Sequence, residues 1–340
     1  MSEKLLSICI PSYNRVEELK RLLESIDATE NNANKLEIVI REDMAPKRKE
    51  VSKVVSEYKE HTMYSVNYIE NEENYGYDKN IRSVAKSATG EWVIFMGDDD
   101  LFVPGALDEF INFLCKHPNI GYILRRYRKV HNDGSVEDTR YAQGDVFFQA
   151  GEDSVVELFR RSVFISGFTY KREWFDDYDC DEYDGTLLFQ LYILASICKK
   201  HSSCYCDILI SEMVEGGIPY FGKAKAEKKL YDSGYNSIRN SLNFMKQVKI
   251  LSEGIDKKFQ INVTDPIMVS YSKYAYGYMH EHRDDGIRVF HQYVRELKRL
   301  GFARTYHFYM YYVALLILGK RNCEKLIMAI KMRKGYTPRL

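Results

Sequence analysis

Between residues 5 and 115, short unbroken apolar runs alternate with stretches whose apolar positions recur every three or four residues. Such runs predict buried strands, and the 3.6-residue period predicts amphipathic helices. Residues 5–10 form the first run, followed by a turn at 11–15. Val16, Leu19, Leu22, Leu23 and Ile26 then share one helical face, and Asn14 with Glu17 predicts a capping box at its start. Residues 36–40 predict the next strand, Val51, Val54, Val55 and Tyr58 the next helix, and residues 64–69 a third strand. Ile81, Val84, Ala85 and Ala88 mark a helix before the fourth run, residues 92–96. Pro104 opens a further helix carrying Leu107, Phe110, Ile111 and Leu114.

Repeated strand–helix units predict an α/β fold with a mostly parallel sheet and helices on both faces. Ligands on such sheets bind outside the carboxyl ends of the strands. Here those ends carry Ser12-Tyr13-Asn14-Arg15, Glu42-Asp43, the polar segment 71–80, and Gly97-Asp98-Asp99-Asp100. Three adjacent carboxylates repel one another. A divalent cation shared with phosphate is one way to compensate them; a solvated loop capping the next helix is another.

After Gly121 the pattern changes. Residues 122–130 and 136–141 flank Asn132-Asp133-Gly134-Ser135, which predicts a hairpin. A helix with Val155, Val156, Leu158 and Phe159, a strand over 163–170, a helix over 185–199 and a strand over 204–210 follow. Beyond residue 219 the chain reads as helical to its end. The expected division is therefore 1–220 for the α/β domain and 221–340 for a helical region.

Composition narrows the picture. Lys plus Arg and Asp plus Glu stand at 49 each, so charge offers no basis for nucleic-acid binding. Seven cysteines without a C-x-x-C pair fit a reducing compartment better than a disulfide framework. The first residues show no signal-peptide pattern, and no apolar stretch has the roughly 20 residues of a membrane span. Residues 286–340 hold 12 Lys/Arg against Glu296 and Glu324, interleaved with Tyr306, Phe308, Tyr309, Tyr311 and Tyr312. This predicts contact with an anionic membrane surface, or a tyrosine-rich bundle packed on the first domain. His280-Glu281-His282 puts its histidines on different helix faces and reads as surface.

Several segments, in order, resemble family 2 glycosyltransferases with the GT-A fold. They are Ile10-Pro11-Ser12-Tyr13-Asn14-Arg15, Glu42-Asp43, Asn71-Glu72-Glu73-Asn74-Tyr75-Gly76 with Asn80, Gly90-Glu91-Trp92, Gly97 to Asp100, and Pro104-Gly105-Ala106-Leu107. The resemblance covers residues 5–115 and thins from 120 to 215. It implies a Rossmann-like mixed sheet and transfer of a sugar, with inversion, from a nucleotide-diphosphate sugar to a hydroxyl of a glycan or lipid-linked glycan. Synthesis of a surface polysaccharide such as O-antigen or capsule, on the cytoplasmic side of a membrane, is the implied setting. It further implies Mn²⁺ or Mg²⁺ held among Asp98, Asp99 and Asp100. Gly97 stands where the family has an Asp, so the ligand register stays open. The implied donor pocket is Pro11, Ser12, Asn14, Arg15, Asp43 near the nucleobase, Asn80, Asp98 and Asp99.

The resemblance places the general base at Asp184, with Tyr183 and Gln190 where the family carries Glu and Arg; Asp181 and Glu182 are rivals. Ser166-Gly167 is expected to face the acceptor. Glu215-Gly216-Gly217 and Tyr220-Phe221-Gly222-Lys223 are expected to form a lid that brings Lys223 or Lys225 to the diphosphate. Two other readings compete. One is a non-catalytic relative that binds nucleotide sugar or glycan. The other is a palm-type polymerase, which also has an apolar strand before Gly-Asp-Asp, but there the motif sits in an antiparallel hairpin rather than before a helix.

Overall fold

The structure, a computed structural model, describes residues 4–334 and 340. Residues 1–3, where a leader pattern was sought, and 335–339 of the basic tail lie outside the described residues. The apolar runs become strands: β1 (Leu6–Ser12), β2 (Leu36–Glu42), β3 (Ser65–Glu70) and β4 (Trp92–Phe95). Between them lie α1 (Val16–Glu24), a single turn α2 (Glu30–Ala33), α3 (Arg48–His61) and α4 (Tyr77–Lys86). The second half of the sheet comprises β5 (Leu101–Phe102), β6 (Tyr122–Val130), β7 (Val136–Thr139), β8 (Val146–Phe148), β9 (Phe168–Lys171) and β10 (Ser203–Val214). Helices α5 (Ala106–Lys116), α6 (Glu152–Phe159), α7 (Phe175–Tyr178) and α8 (Phe189–Cys198) connect these strands.

The strand order is β3-β2-β1-β4-β9-β6-β10-β5, with β7 on β6 and β8 on β10. β3, β2, β1 and β4 run parallel, as do β6 and β10, whereas β9 is antiparallel to both β4 and β6. Strands buried on both faces send alternate residues to opposite layers. Ile8, Ile10, Ile38, Ile40, Trp92 and Ile94 pack with α1, α3 and α5. Cys9, Val39, Val93 and Phe95 face the layer of α4, α6 and α8. That second layer continues into α9 (Ile238–Phe259), α10 (Thr264–Lys273), α11 (Tyr276–Glu281), α12 (Ile287–Leu300) and α13 (Tyr306–Lys334). No described helix is long and apolar enough to cross a membrane.

Several local expectations are corrected. Arg15, not Asn14, is the N-cap of α1, and no side chain caps it. Asn14 instead takes a left-handed backbone at φ 61° and donates to the Tyr220 hydroxyl at 3.3 Å. Of the expected strand 163–170 only 168–170 pair, and the strand runs on to Lys171; residues 163–167 are a loop closed by Phe168 N–H on the Ile165 carbonyl. The helix expected from 185 starts at Phe189, because Gly185 and Leu187 are left-handed. Residues 218–237 contain no α-helix. His282 is buried and bonded to Asp285 at 2.9 Å, and His280 lies 2.9 Å from Glu324, so the pair belongs to the packing of α11 rather than to open surface.

Candidate functional site

Because β1 leads to β2 on one side while its other neighbour, β4, leads to β5 at the far edge, the two connections diverge and open a crevice at the carboxyl end of β1. A cavity of about 570 Å³ occupies that place. Pro11, Ser12, Tyr13, Arg15, Asp43, Asn80 and Asp98 to Asp100 line it together, from the ends of β1, β2 and β4 and from α4. Of the expected donor residues, Asn14 alone does not line it.

The three aspartates divide their partners. Asp98 is buried, accepting the Tyr13 N–H at 2.9 Å and the Arg15 guanidinium at 2.7 Å. Asp99 takes the other end of Arg15 at 2.9 Å. Asp100 turns the opposite way, accepting from the Ser166 hydroxyl and, at 3.2 Å, from Val214 N–H. Burial pushes the Asp98 carboxyl up to about 6, against the pull of Arg15. Burial, with Asp99 adding to it, pushes Asp100 up to about 7. Burial thus makes both carboxyls harder to ionise than ordinary aspartates.

Gly97 explains part of this arrangement. A Cβ there would lie 3.1 Å from Asp99 Oδ1, 3.2 Å from Ser166 Oγ and 3.3 Å from Asp100 Oδ2. The oxygens of two aspartates thus gather around a space that a side chain would fill. Among the described residues no three Asp, Glu, His or Cys side chains converge as a metal cage. The donor set fits a hard cation held by one or two carboxylates and completed by phosphate oxygens, the usual manner for Mg²⁺.

At the other end, Asp43 accepts from Asn71 and Tyr75 N–H, both at 2.7 Å, and from Gly76 N–H at 2.8 Å. Asn71 also donates to Asn80 Oδ1 at 2.8 Å, and Asn80 Nδ2 donates to the Arg41 carbonyl. Asp43 and Asn80 thus shape the loop 71–76 as well as the cavity wall. Burial raises the Asp43 carboxyl above its ordinary value. Ser12 Oγ is buried, lines the cavity and has no partner, so it is available to a ligand. Glu42 stands outside the lining; it caps Ala45 N–H at 2.8 Å, and burial raises it to about 7.

The segment after β10 folds over the aspartates. Arg15 donates to the Ile218 carbonyl at 2.9 Å, and Tyr13 meets Tyr220 edge-on with centroids 5.5 Å apart. Lys223 sits over both rings, and Lys225 is exposed; neither lines the cavity. Glu215 does line it. Its hydrogen bond from Lys129, then those from Asn132 and His131, hold it down to about 2.

Asp184 stands apart from the lining, with Arg82 donating to it at 2.6 and 3.0 Å. Burial raises its carboxyl, and Arg82 opposes the shift. Asp181 and Glu182 are exposed and do not line the cavity. Ser166 reaches the site as the partner of Asp100 and of Gly97 N–H, the latter at 2.9 Å.

Other lining residues escaped the sequence reading: Tyr77, Lys129, Leu187, Met213 and Glu227. Glu227 is buried and accepts Tyr77 N–H at 2.7 Å and Gly222 N–H at 2.8 Å, fastening the covering segment to α4. Asp78, one residue on, accepts Leu187 and Phe189 N–H at 2.8 and 2.9 Å. It thereby holds Leu187, at φ 67°, against the cavity. A buried acid aimed at a backbone N–H more than 100 residues away leaves no local mark in the sequence.

Comparison with known proteins places this geometry. An uncharacterized glycosyltransferase of Haemophilus influenzae is 33% identical over 119 residues, 35% of this chain and 37% of that protein. Abequosyltransferase RfbV of Salmonella typhimurium is 27% identical over 209 residues, 57% of this chain and 61% of that protein. The matches thus span less than two thirds of either relative. S. aureus TarS 1-349 in complex with UDP superposes over 94% of this chain and 91% of its own, with a TM-score of 0.53 at 14% identity. Mannosyltransferase PcManGT of Pyrobaculum calidifontis, in complex with GDP-Man and Mn²⁺, does so over 94% and 88%, with a TM-score of 0.51 at 14% identity. At that identity the likeness establishes the fold, which is GT-A. Residues 7–178, half of the chain, match the sequence profile of Glycosyl transferase family 2. The chain belongs to that family.

Proposed function

We propose that this protein transfers a sugar from a nucleotide-diphosphate donor to a hydroxyl of a glycan or lipid-linked glycan during surface-polysaccharide synthesis. The observation that carries this reading is the cavity at the end of β1, where Ser12, Arg15, Asp43, Asn80 and Asp98 to Asp100 meet. The nucleobase and ribose would lie toward Asp43, Asn80 and Ser12, and the diphosphate toward Arg15 and the aspartates. Asp99 and Asp100 would hold Mn²⁺ or Mg²⁺, which when bound would neutralise the leaving diphosphate. The relatives support the substrate class, since TarS was captured with UDP and with UDP-GlcNAc, and PcManGT with GDP-Man and Mn²⁺.

Asp184 is the proposed base, with Arg82 setting its orientation. Its carboxylate would take the proton of the acceptor hydroxyl as that oxygen bonds to the anomeric carbon. The bond to the phosphate oxygen breaks on the opposite face, and its electron pair leaves with the nucleotide diphosphate. Inversion follows from that single displacement. Support comes from the turn 184–187, whose far end, Leu187, lies on the cavity wall. We assign catalysis to residues 1–220 and place the reaction at the inner face of an anionic membrane, with residues 221–340 as the attachment.

The test is Asp184→Asn. Donor binding should stay within about twofold, while transfer falls by roughly 10²–10⁴. Undiminished transfer would move the base to one of the carboxylates that line the cavity. Loss of donor binding would make Asp184 a structural residue.

A further inference from the structure

The first arm of α13 ends at Gly319, whose φ of 71° and ψ of 174° break the helix. Before that break, Phe308 and Leu315 are buried in the core. Tyr306, Tyr309, Met310, Val313 and Ile317 stand at i, i+3, i+4, i+7 and i+11 and form a stripe on the other side. All five are exposed, Ile317 to 76%. Residues 306–318 contain no Lys, Arg, Asp or Glu. Single exposed apolar side chains are ordinary, but a continuous stripe roughly 16 Å long marks a contact surface.

The charges beside it identify the partner. Arg288, Arg295 and Lys298 of α12 are exposed and make no ion pair among the described residues. The Lys298 ammonium lies 5.9 Å from the centroid of the Tyr309 ring, which joins the basic row to the stripe. Ile287 and Val289 of α12 are exposed as well. Arg321 and Lys325, past the break, are exposed and likewise unpaired among the described residues. The nearby acids are largely engaged: Glu296 with Arg299, Glu324 with His280, and Asp285 with His282. Asp284 remains exposed at the start of α12.

We infer that residues 306–318, flanked by Arg288, Arg295 and Lys298, lie flat on an anionic lipid surface. This rests on the membrane location proposed above and assigns the contact to one helix face. An uncharged apolar stripe bordered by unpaired cations is what an interfacial helix presents to acidic headgroups. A two-fold contact between copies would set the same patch against itself and bring the cationic rows together. A segment of this length rests on a bilayer without crossing it.

Co-sedimentation tests the inference, using vesicles of phosphatidylcholine with about one third phosphatidylglycerol. Pure phosphatidylcholine vesicles serve as the comparison. The full chain should bind the anionic vesicles, more weakly as salt rises. Val313→Glu with Ile317→Glu, and separately Arg295→Glu with Lys298→Glu, should each weaken binding by roughly tenfold. Circular dichroism and nucleotide-dependent thermal shift should match the parent, because these side chains are exposed and far in sequence from the cavity residues. A parent that ignores anionic vesicles yet transfers sugar overturns the membrane location and the inference together. Binding that persists unchanged in both pairs overturns the stripe alone. So does a dimer in solution that the Val313/Ile317 pair dissociates.

Discussion

Arg15→Ala removes the cation that faces both Asp98 and Asp99, and its cost depends on pH in a way the site dictates. In the parent, Asp98 has a carboxyl raised to about 6 by burial, with Arg15 limiting the rise. Without Arg15 the folded-state value climbs further, although the Tyr13 N–H remains at 2.9 Å. Below pH 6 Asp98 is protonated in both proteins. The substitution then costs about 1 kcal/mol, the net value of the Arg15 bonds to Asp98, Asp99 and the Ile218 carbonyl at a partly exposed site. Above pH 6 the parent ionises while the variant keeps its proton or buries an unpaired charge, and the difference grows by about 1.4 kcal/mol per pH unit. At pH 8 the loss should reach about 3–4 kcal/mol, in the range for breaking a buried pair. Urea unfolding in metal-free buffer at pH 5 and pH 8, followed by fluorescence of buried Trp92 and half-buried Trp174, measures both values. Equal losses at the two pH values would refute the reasoning.

Two further substitutions probe the surroundings. Gly97→Ala places a methyl 3.1–3.3 Å from Asp99 Oδ1, Ser166 Oγ and Asp100 Oδ2, so the carboxylates must give way. Calorimetry should show Mn²⁺-dependent nucleotide binding about tenfold weaker, with at most about 3 kcal/mol lost in stability; unaltered binding would detach Gly97 from the cation site. Asp78, buried and raised to about 7, holds a proton in the folded chain that the unfolded chain releases near pH 4. The parent therefore loses stability as pH rises from about 4 to 7, by up to ~4 kcal/mol from this group, and Asp78→Asn should gain on the parent across that window. A pH-independent difference between the two in denaturant titrations would contradict the assignment.

The parallel half of the fold was legible because each strand is buried on both faces and reads as an unbroken apolar run. Trp92 to Phe95 before three aspartates locates the site without any partner in view. Local pattern fails where a distant group overrides it. The apolar residues 187–189 look helical, but Asp78 takes the N–H groups of Leu187 and Phe189 and holds Leu187 left-handed. Asn14 and Glu17 have the spacing of a capping box, yet Asn14 is drawn to Tyr220 instead. Residues 163–167 are apolar enough for a strand, but Arg125 donates to the Phe164 and Ser166 carbonyls and holds them as a loop. Asp184 is proposed as base on resemblance alone, and its pairing with Arg82, a contact across 102 residues, leaves no local signal.

The central claim is that the cavity beside β1 and β4 binds a nucleotide-diphosphate sugar with a divalent cation. Thermal unfolding with a panel of nucleotide sugars, each with and without Mn²⁺, tests it most directly, with Asp100→Asn run in parallel. One nucleotide class should stabilise the parent by RT ln(1 + [L]/Kd), about 2.7 kcal/mol at a hundredfold excess over Kd, only when Mn²⁺ is present. Asp100→Asn should lose that response. Absence of stabilisation by every donor, or an equal response in Asp100→Asn, would contradict the account.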